Sequence, residues 1–219
     1  RSAALKDVRC KCAQCTYSVM RSLDWRTAVV VPVFKSGDRL SANNYRPVSL
    51  TSICCKILEH VIVKHIITFL ENKNYFYPYQ HGFRSKVSTT TQLIETIHDF
   101  ATALDMNEQI DVICIGFAKA FDKVPHDRLL YKLHCAGLSQ LLLNRIKAYL
   151  NDRKQFVKID NSISSSLNVF SGVPQGSVRG PLLFLIYVND IADIAKHHVK
   201  LKLFADDCLI YVRVTGRKD

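Results

Sequence analysis

Apolar and polar positions change period several times along the chain, and each change predicts an element. Thr27 to Phe34 is a β-branched apolar run interrupted by Pro32, the mark of an edge strand. Lys35-Ser-Gly-Asp38 is a turn signal, and Asn44 to Leu50 reads as a second short extended piece. Ile53, Ile57, Leu58, Val61, Ile62, His65, Ile66, Phe69 and Leu70 recur at helical spacing, with Asn72 and Asn74 at the exit. Leu93, Ile94, Ile97, Phe100 and Leu104 define a second helix, capped by Ser88. The continuous apolar run over 110–117 predicts a strand buried on both faces.

Pro125 opens a further helix that Gly137 ends, and Ser139 begins the next. Gln155 to Asp160 and Ile163 to Phe170 predict a hairpin about Asn161-Ser162. Gly180 and Pro181 precede an amphipathic helix that runs to about Lys196. Val199 to Ala205 and Cys208 to Val214 are two apolar strands with only Asp206-Asp207 between them. Helices packed on a mainly antiparallel sheet make an α+β arrangement, while residues 1–24 carry too little pattern to assign.

A chain of 219 residues fits one large domain or two closely packed small ones. Its net charge of +11 suits a polyanionic partner, though a basic but otherwise ordinary domain reads equally well from charge alone. Of the 8 cysteines, Cys54, Cys114, Cys135 and Cys208 fall in apolar stretches, as reduced thiols packed as small hydrophobes do. That usage points to an intracellular compartment. Cys10, Cys12 and Cys15 cluster tightly, but no fourth ligand follows at zinc-finger spacing. No targeting segment is visible, and the longest apolar run, Leu182 to Val188, is far too short to span a membrane. A first residue of Arg1 predicts an internal fragment.

The sharpest chemical feature is Phe204-Ala-Asp-Asp207. Adjacent carboxylates at a hairpin tip repel each other and occupy a turn that Asn-Gly would form better. Hard oxygen ligands for a divalent cation are one reading, and a solvated acidic turn is the other. Ser171-Gly-Val-Pro-Gln-Gly-Ser177 stands shortly before it. Its glycines and proline fix a tight loop, and Gln175 offers both a donor and an acceptor.

These segments resemble reverse transcriptases. Ser171 to Pro181 with Leu182 to Ile191 is similar to the loop and helix that precede the catalytic hairpin in that family, and Phe204-Ala-Asp-Asp207 to the hairpin itself. Asp111 to His126, with Lys119-Ala-Phe-Asp-Lys-Val-Pro-His126, resembles the first catalytic strand. Trp25 to Asp38, Asn44-Tyr-Arg-Pro-Val-Ser-Leu50 and Gln80-His-Gly-Phe-Arg84 look like fingers motifs of non-LTR retrotransposons of the jockey and CR1 kind. The match covers about residues 25–214, in the expected order.

The resemblance implies a right-hand polymerase with fingers over 25–108 and a palm over 109–219, its thumb absent. It implies an RNA-directed DNA polymerase acting on an RNA template, a DNA primer and a deoxynucleoside triphosphate, with two Mg²⁺ ions held by palm carboxylates. By position, Asp206 would bind metal and Asp207 would support it. Phe121 would exclude a ribose 2′-hydroxyl, Gln175 and Gly176 would line the nucleotide and template, and Lys35 and Arg46 would hold the triphosphate. Arg84 would serve the template or brace the fingers.

Two positions depart from the family pattern. The metal-binding Asp expected just before Phe117 is Gly116, which removes a ligand shared by both metals and, together with the missing C-terminal palm strands and thumb, implies an inactive enzyme. Asp111 lies roughly 17 Å along the strand and on its other face, and Asp122 lies past its end, so neither replaces that ligand. Arg179 stands where the family has an apolar residue, so its charge is either forced into the core or snorkels out. The alternative function is a non-catalytic, basic RNA- or DNA-binding remnant.

Overall fold

The computed structural model describes residues 26–195 and 198–214. The unassigned stretch 1–24, the Cys10, Cys12 and Cys15 cluster, Trp25 and Lys196 lie outside them.

The first sheet is built around β1 (Thr27–Phe34). It pairs antiparallel with β2 (Tyr45–Leu50) and, on its other side, parallel with β4 (Lys154–Ile159). Two short strands, β5 (Ser162–Ile163) and β6 (Leu167–Asn168), pair antiparallel with β4. β1 is therefore internal, not the edge strand that Pro32 predicts. The proline fits because β4 pairs only with Thr27 to Val30, and Pro32 faces Pro47 of β2, where neither residue has an N–H to give.

The second sheet has the order β3 (Gln109–Gly116), β8 (Asp207–Val214), β7 (Val199–Phe204), all antiparallel. Beside β7 runs the segment 79–81, parallel to it through a Gln80–Leu203 bridge. Leu203 N donates to Tyr79 O at 3.0 Å and His81 N to Leu203 O at 2.8 Å.

The core is helical. Helices α1 (Ile53–Asn72), α3 (His126–Cys135) and α4 (Gln140–Leu150) surround α5 (Arg179–Val188), and Ile62, Ile66, Leu129, Leu133, Ile146, Leu183 and Ile186 meet there. Helix α2 (Thr89–Asp105) packs on β3 and starts as expected at Ser88, whose side chain accepts from Thr91 N while Thr91 returns the bond.

Several predicted faces turn out otherwise. β3 is exposed along most of its length, because it is the outermost strand of its sheet; Ile113 is 59% exposed. Helix α2 also presents Leu93, Ile94, Ile97 and Leu104 outward. It meets the sheet through polar groups and one ring contact: Lys202 donates to Glu95, Lys200 and Tyr211 donate to Asp99, and Phe100 meets the Tyr211 ring edge-on at 5.3 Å. Helix α5 is buried nearly all round rather than amphipathic, and a 3-10 helix over Asn189–Ile194 continues it. The β4 hairpin turns at Asp160-Asn161, one residue early, and its return arm is broken into β5 and β6. Cys208 is buried as expected, whereas Cys114 and Cys135 are exposed.

Candidate active site

The connection between β7 and β8 is Ala205–Asp206, because Phe204 already pairs with Asp207. Ala205 adopts φ 55°, a left-handed value that alanine rarely takes. Asp207 is thus the first residue of β8, exposed, while Asp206 sits half-buried at the tip. Across the sheet Asp207 faces Gly116, and opposed residues of an antiparallel pair project to the same side. A Cβ on Gly116 would stand 3.5 Å from Asp207 Oδ1, an ordinary contact distance.

A cleft of about 1130 Å³ opens between the two sheets' ends. Lys35, Arg46, Phe121, Gln175 and Asp206 all line it, together with Arg39, Lys119 and Asp122. Residues far apart in the chain thus converge on one cavity lined by both cations and carboxylates. Phe121 stacks on the buried Phe184 at 4.3 Å and meets Phe83 edge-on at 6.1 Å, so its ring is fixed.

Gln175 is held from two sides. Its carbonyl accepts from Ser49 N at 2.7 Å, and its side-chain Nε2 donates to Asp122 Oδ1 at 3.1 Å. Burial raises the Asp122 carboxyl above its ordinary value, with the Gln175 hydrogen bond and Lys119 pulling the other way. Because a carboxylate only accepts, Asp122 fixes the amide with Oε1 pointing away from it. Gly176 does not line the cleft. It has φ 96°, and a Cβ there would come within 2.7 Å of Ser49 O, so it lets the loop lie against β2.

Asp207 is likewise outside the cleft lining. Among the described residues no group of three or more His, Cys, Asp or Glu is placed to hold a metal ion. With Asp206 at the tip, Asp207 opening β8 and Gly116 opposite Asp207, the donors present among the described residues do not fit a two-metal site.

Two buried residues support the site in roles that composition and spacing do not reveal. Gln80 is buried, and its Oε1 accepts from Ala205 N at 3.0 Å and Gly82 N at 2.8 Å. Glu59, fully buried within α1, accepts at Oε2 from Val178 N at 2.7 Å and Arg179 N at 3.3 Å, so it caps α5 directly after the Gln175 loop. Arg179 itself is driven into the core, 2% exposed. It lies 4.5 Å over the Tyr149 ring, and its Nε, Nη1 and Nη2 have no hydrogen-bond partner. Burial lowers its guanidinium from the ordinary value, against the pull of Glu59. Arg84 donates to Tyr77 O at 3.1 Å and covers the Phe76 ring, a bracing arrangement.

Comparison with known proteins gives the family of the chain. Residues 33–217 match the family described as reverse transcriptase (RNA-dependent DNA polymerase). The chain is 33% identical over 193 residues to a probable RNA-directed DNA polymerase from transposon X-element of Drosophila melanogaster, covering 85% of this chain and 21% of that protein. It is also 33% identical over 196 residues to the RNA-directed DNA polymerase from mobile element jockey of Drosophila funebris, covering 86% of this chain and 21% of the relative. It therefore spans about a fifth of the length of these relatives. Among solved structures, apo telomerase of Candida tropicalis truncated from its C-terminal domain shares the fold. Its TM-score is 0.61 at 12% identity, over 88% of this chain and 44% of that one.

Proposed function

Because the chain belongs to the reverse transcriptase (RNA-dependent DNA polymerase) family, we propose that its cleft is the nucleotide site of a non-LTR retrotransposon polymerase whose chemistry is disabled at Gly116. The observation that carries this reading is the convergence of Lys35, Arg46, Phe121, Gln175 and Asp206 on one cavity.

In this reading residues 25–108 form fingers and 109–219 a palm, with β4 to β6 of the second part completing the first part's sheet. Lys35 and Arg46 hold the triphosphate of a deoxynucleotide, since cationic groups on a wall attract and orient phosphate oxygens. Phe121, its ring fixed by Phe184, excludes a ribose 2′-hydroxyl. Gln175 offers its free Oε1 to the nucleotide, and Gly176 lets that loop approach β2. The net charge of +11 draws in an RNA template and a DNA primer. Asp206 lies where a divalent cation would be needed, and Asp207 beside it, but Gly116 leaves the donor set incomplete, so no catalytic step is assigned to this tip.

A second reading, a non-catalytic basic nucleic-acid-binding remnant, is favoured by the same Gly116, since the cationic wall survives while the carboxylate does not. Titration with a fluorescent deoxynucleoside triphosphate tests the cleft. Lys35→Ala with Arg46→Ala weakens binding by roughly tenfold per charge removed. Unchanged affinity in the double variant would remove the cleft from the account.

A further inference from the structure

The turn that carries Asp206 is held from outside its own hairpin. Ala205 takes a left-handed backbone with φ 55°, which for alanine persists only where the surroundings impose it. Those surroundings are the segment 79–82. Tyr79 and His81 exchange backbone hydrogen bonds with Leu203, which extends the sheet next to β7. At the end of that segment Gln80 Oε1 accepts from Ala205 N at 3.0 Å and from Gly82 N at 2.8 Å. Gly82 leaves no room for a side chain, because a Cβ there would lie 2.2 Å from Ala205 N. Sequence, backbone approach and hydrogen bonding therefore meet on a single amide, the one preceding Asp206.

We propose that Gln80 is a positioning residue for Asp206: its buried side-chain oxygen locks the Ala205–Asp206 turn so that the Asp206 carboxylate faces the cleft. This rests on the reading of the cleft given above. Gln80 touches no ligand in this role; it acts through the turn. Its other end adds a second constraint, for Nε2 is buried without a partner, so replacing that nitrogen by oxygen sacrifices no hydrogen bond. Gln80→Glu, kept neutral by burial beside the Asp206 turn, therefore keeps the carbonyl acceptor that holds the turn, whereas Gln80→Met keeps the length and apolar bulk but removes the acceptor.

The test uses the 219-residue chain and two readouts. The first is amide hydrogen exchange. Gln80→Met accelerates exchange at Ala205 and Gly82 by ~10-fold while the rest of β7 and β8 stays protected, and Gln80→Glu restores the slow rate. The second is primer extension in the Gly116→Asp background. There Gln80→Met lowers kcat by ~10-fold or more with KM for the nucleotide nearly unchanged, and Gln80→Glu recovers most of it. Unchanged exchange at Ala205 in Gln80→Met overturns the proposal whatever the activity. Loosened exchange with kcat equal to that of Gly116→Asp overturns it too, because the turn would then not matter to Asp206. If Gly116→Asp itself does not extend a primer, it is the reading of Gly116 that fails, and exchange alone decides whether Gln80 holds the turn.

Discussion

Gly116 lies directly opposite Asp207 across β3 and β8, and a Cβ on it would stand 3.5 Å from Asp207 Oδ1. The position is sterically open and electrostatically specific: an Asp there adds a carboxylate on the same side of the sheet as Asp207. Two close carboxylates repel each other unless a cation sits between them. Divalent cation is therefore expected to raise the melting temperature of Gly116→Asp, and to leave that of the unaltered chain nearly unchanged, because only a folded state with a complete donor set binds it. Equal shifts in thermal denaturation with Mn²⁺ would mean that residue 116 is not part of a cation site.

Arg179 predicts a gain from its removal. Its guanidinium is buried with no hydrogen-bond partner, and stacking on Tyr149 offsets only part of that cost. Arg179→Leu combined with Glu59→Gln, which removes both buried charges while the Gln oxygen still accepts from the α5 amides, is expected to stabilise the chain by about 1–4 kcal/mol in urea denaturation, as replacements of buried ion pairs can. A net loss of stability would show that the charge is compensated.

Glu59 predicts the reverse. It is fully buried, caps α5 through Val178 N and Arg179 N, and accepts from Cys55 Sγ at 3.3 Å. Glu59→Leu leaves those amides unpaired and the Arg179 charge without its counterpart, for a loss of about 3–5 kcal/mol. Pairing it with Arg179→Leu recovers part of that loss in a double-mutant cycle; strict additivity would mean that the two charges do not interact.

The contact between α2 and β7–β8 carries a pH dependence. The hydrogen bond from Lys202 lowers the Glu95 carboxyl below its ordinary value. Burial works to raise Asp99, but hydrogen bonds from Lys200 and Tyr211 outweigh it and hold it low as well. Carboxyls depressed in the folded state contribute stability that is complete above their unfolded pKa and lost as pH falls through the folded one. Stability is therefore expected to fall with pH below about 4, in the ordinary carboxylate range and under it. Glu95→Gln with Asp99→Asn flattens that slope in denaturation curves; an unchanged slope would place the acid sensitivity elsewhere.

The parts of this fold legible in the sequence are those set by local chemistry. Ser88 caps α2, Gly137 and Ser139 separate α3 from α4, and β7 and β8 stand within one residue of their apolar runs, the turn falling at Ala205–Asp206 instead of Asp206-Asp207 because Phe204 pairs with Asp207. Faces were less legible, because periodicity says that a residue is apolar and not what covers it. Ile97 and Ile113 satisfy helical and strand patterns but lie at the surface, since α2 docks through Glu95 and Asp99 and β3 is outermost in its sheet. In the site, Gln175 and Asp206 were marked by turn chemistry, and Gly116 by the resemblance. Gln80 stands in a motif that the resemblance marks, but neither its role nor that of Glu59 is legible, because each holds a backbone amide more than 100 residues away, at sequence separations of 125 and 119.

The most direct test of the central claim is primer extension on an RNA template with Mg²⁺ or Mn²⁺, comparing the chain as it stands with Gly116→Asp. The account predicts extension by Gly116→Asp and none by the unaltered chain. Extension by the unaltered chain at a rate similar to that of Gly116→Asp would contradict it, and would mean that the cleft finds its missing carboxylate somewhere other than β3.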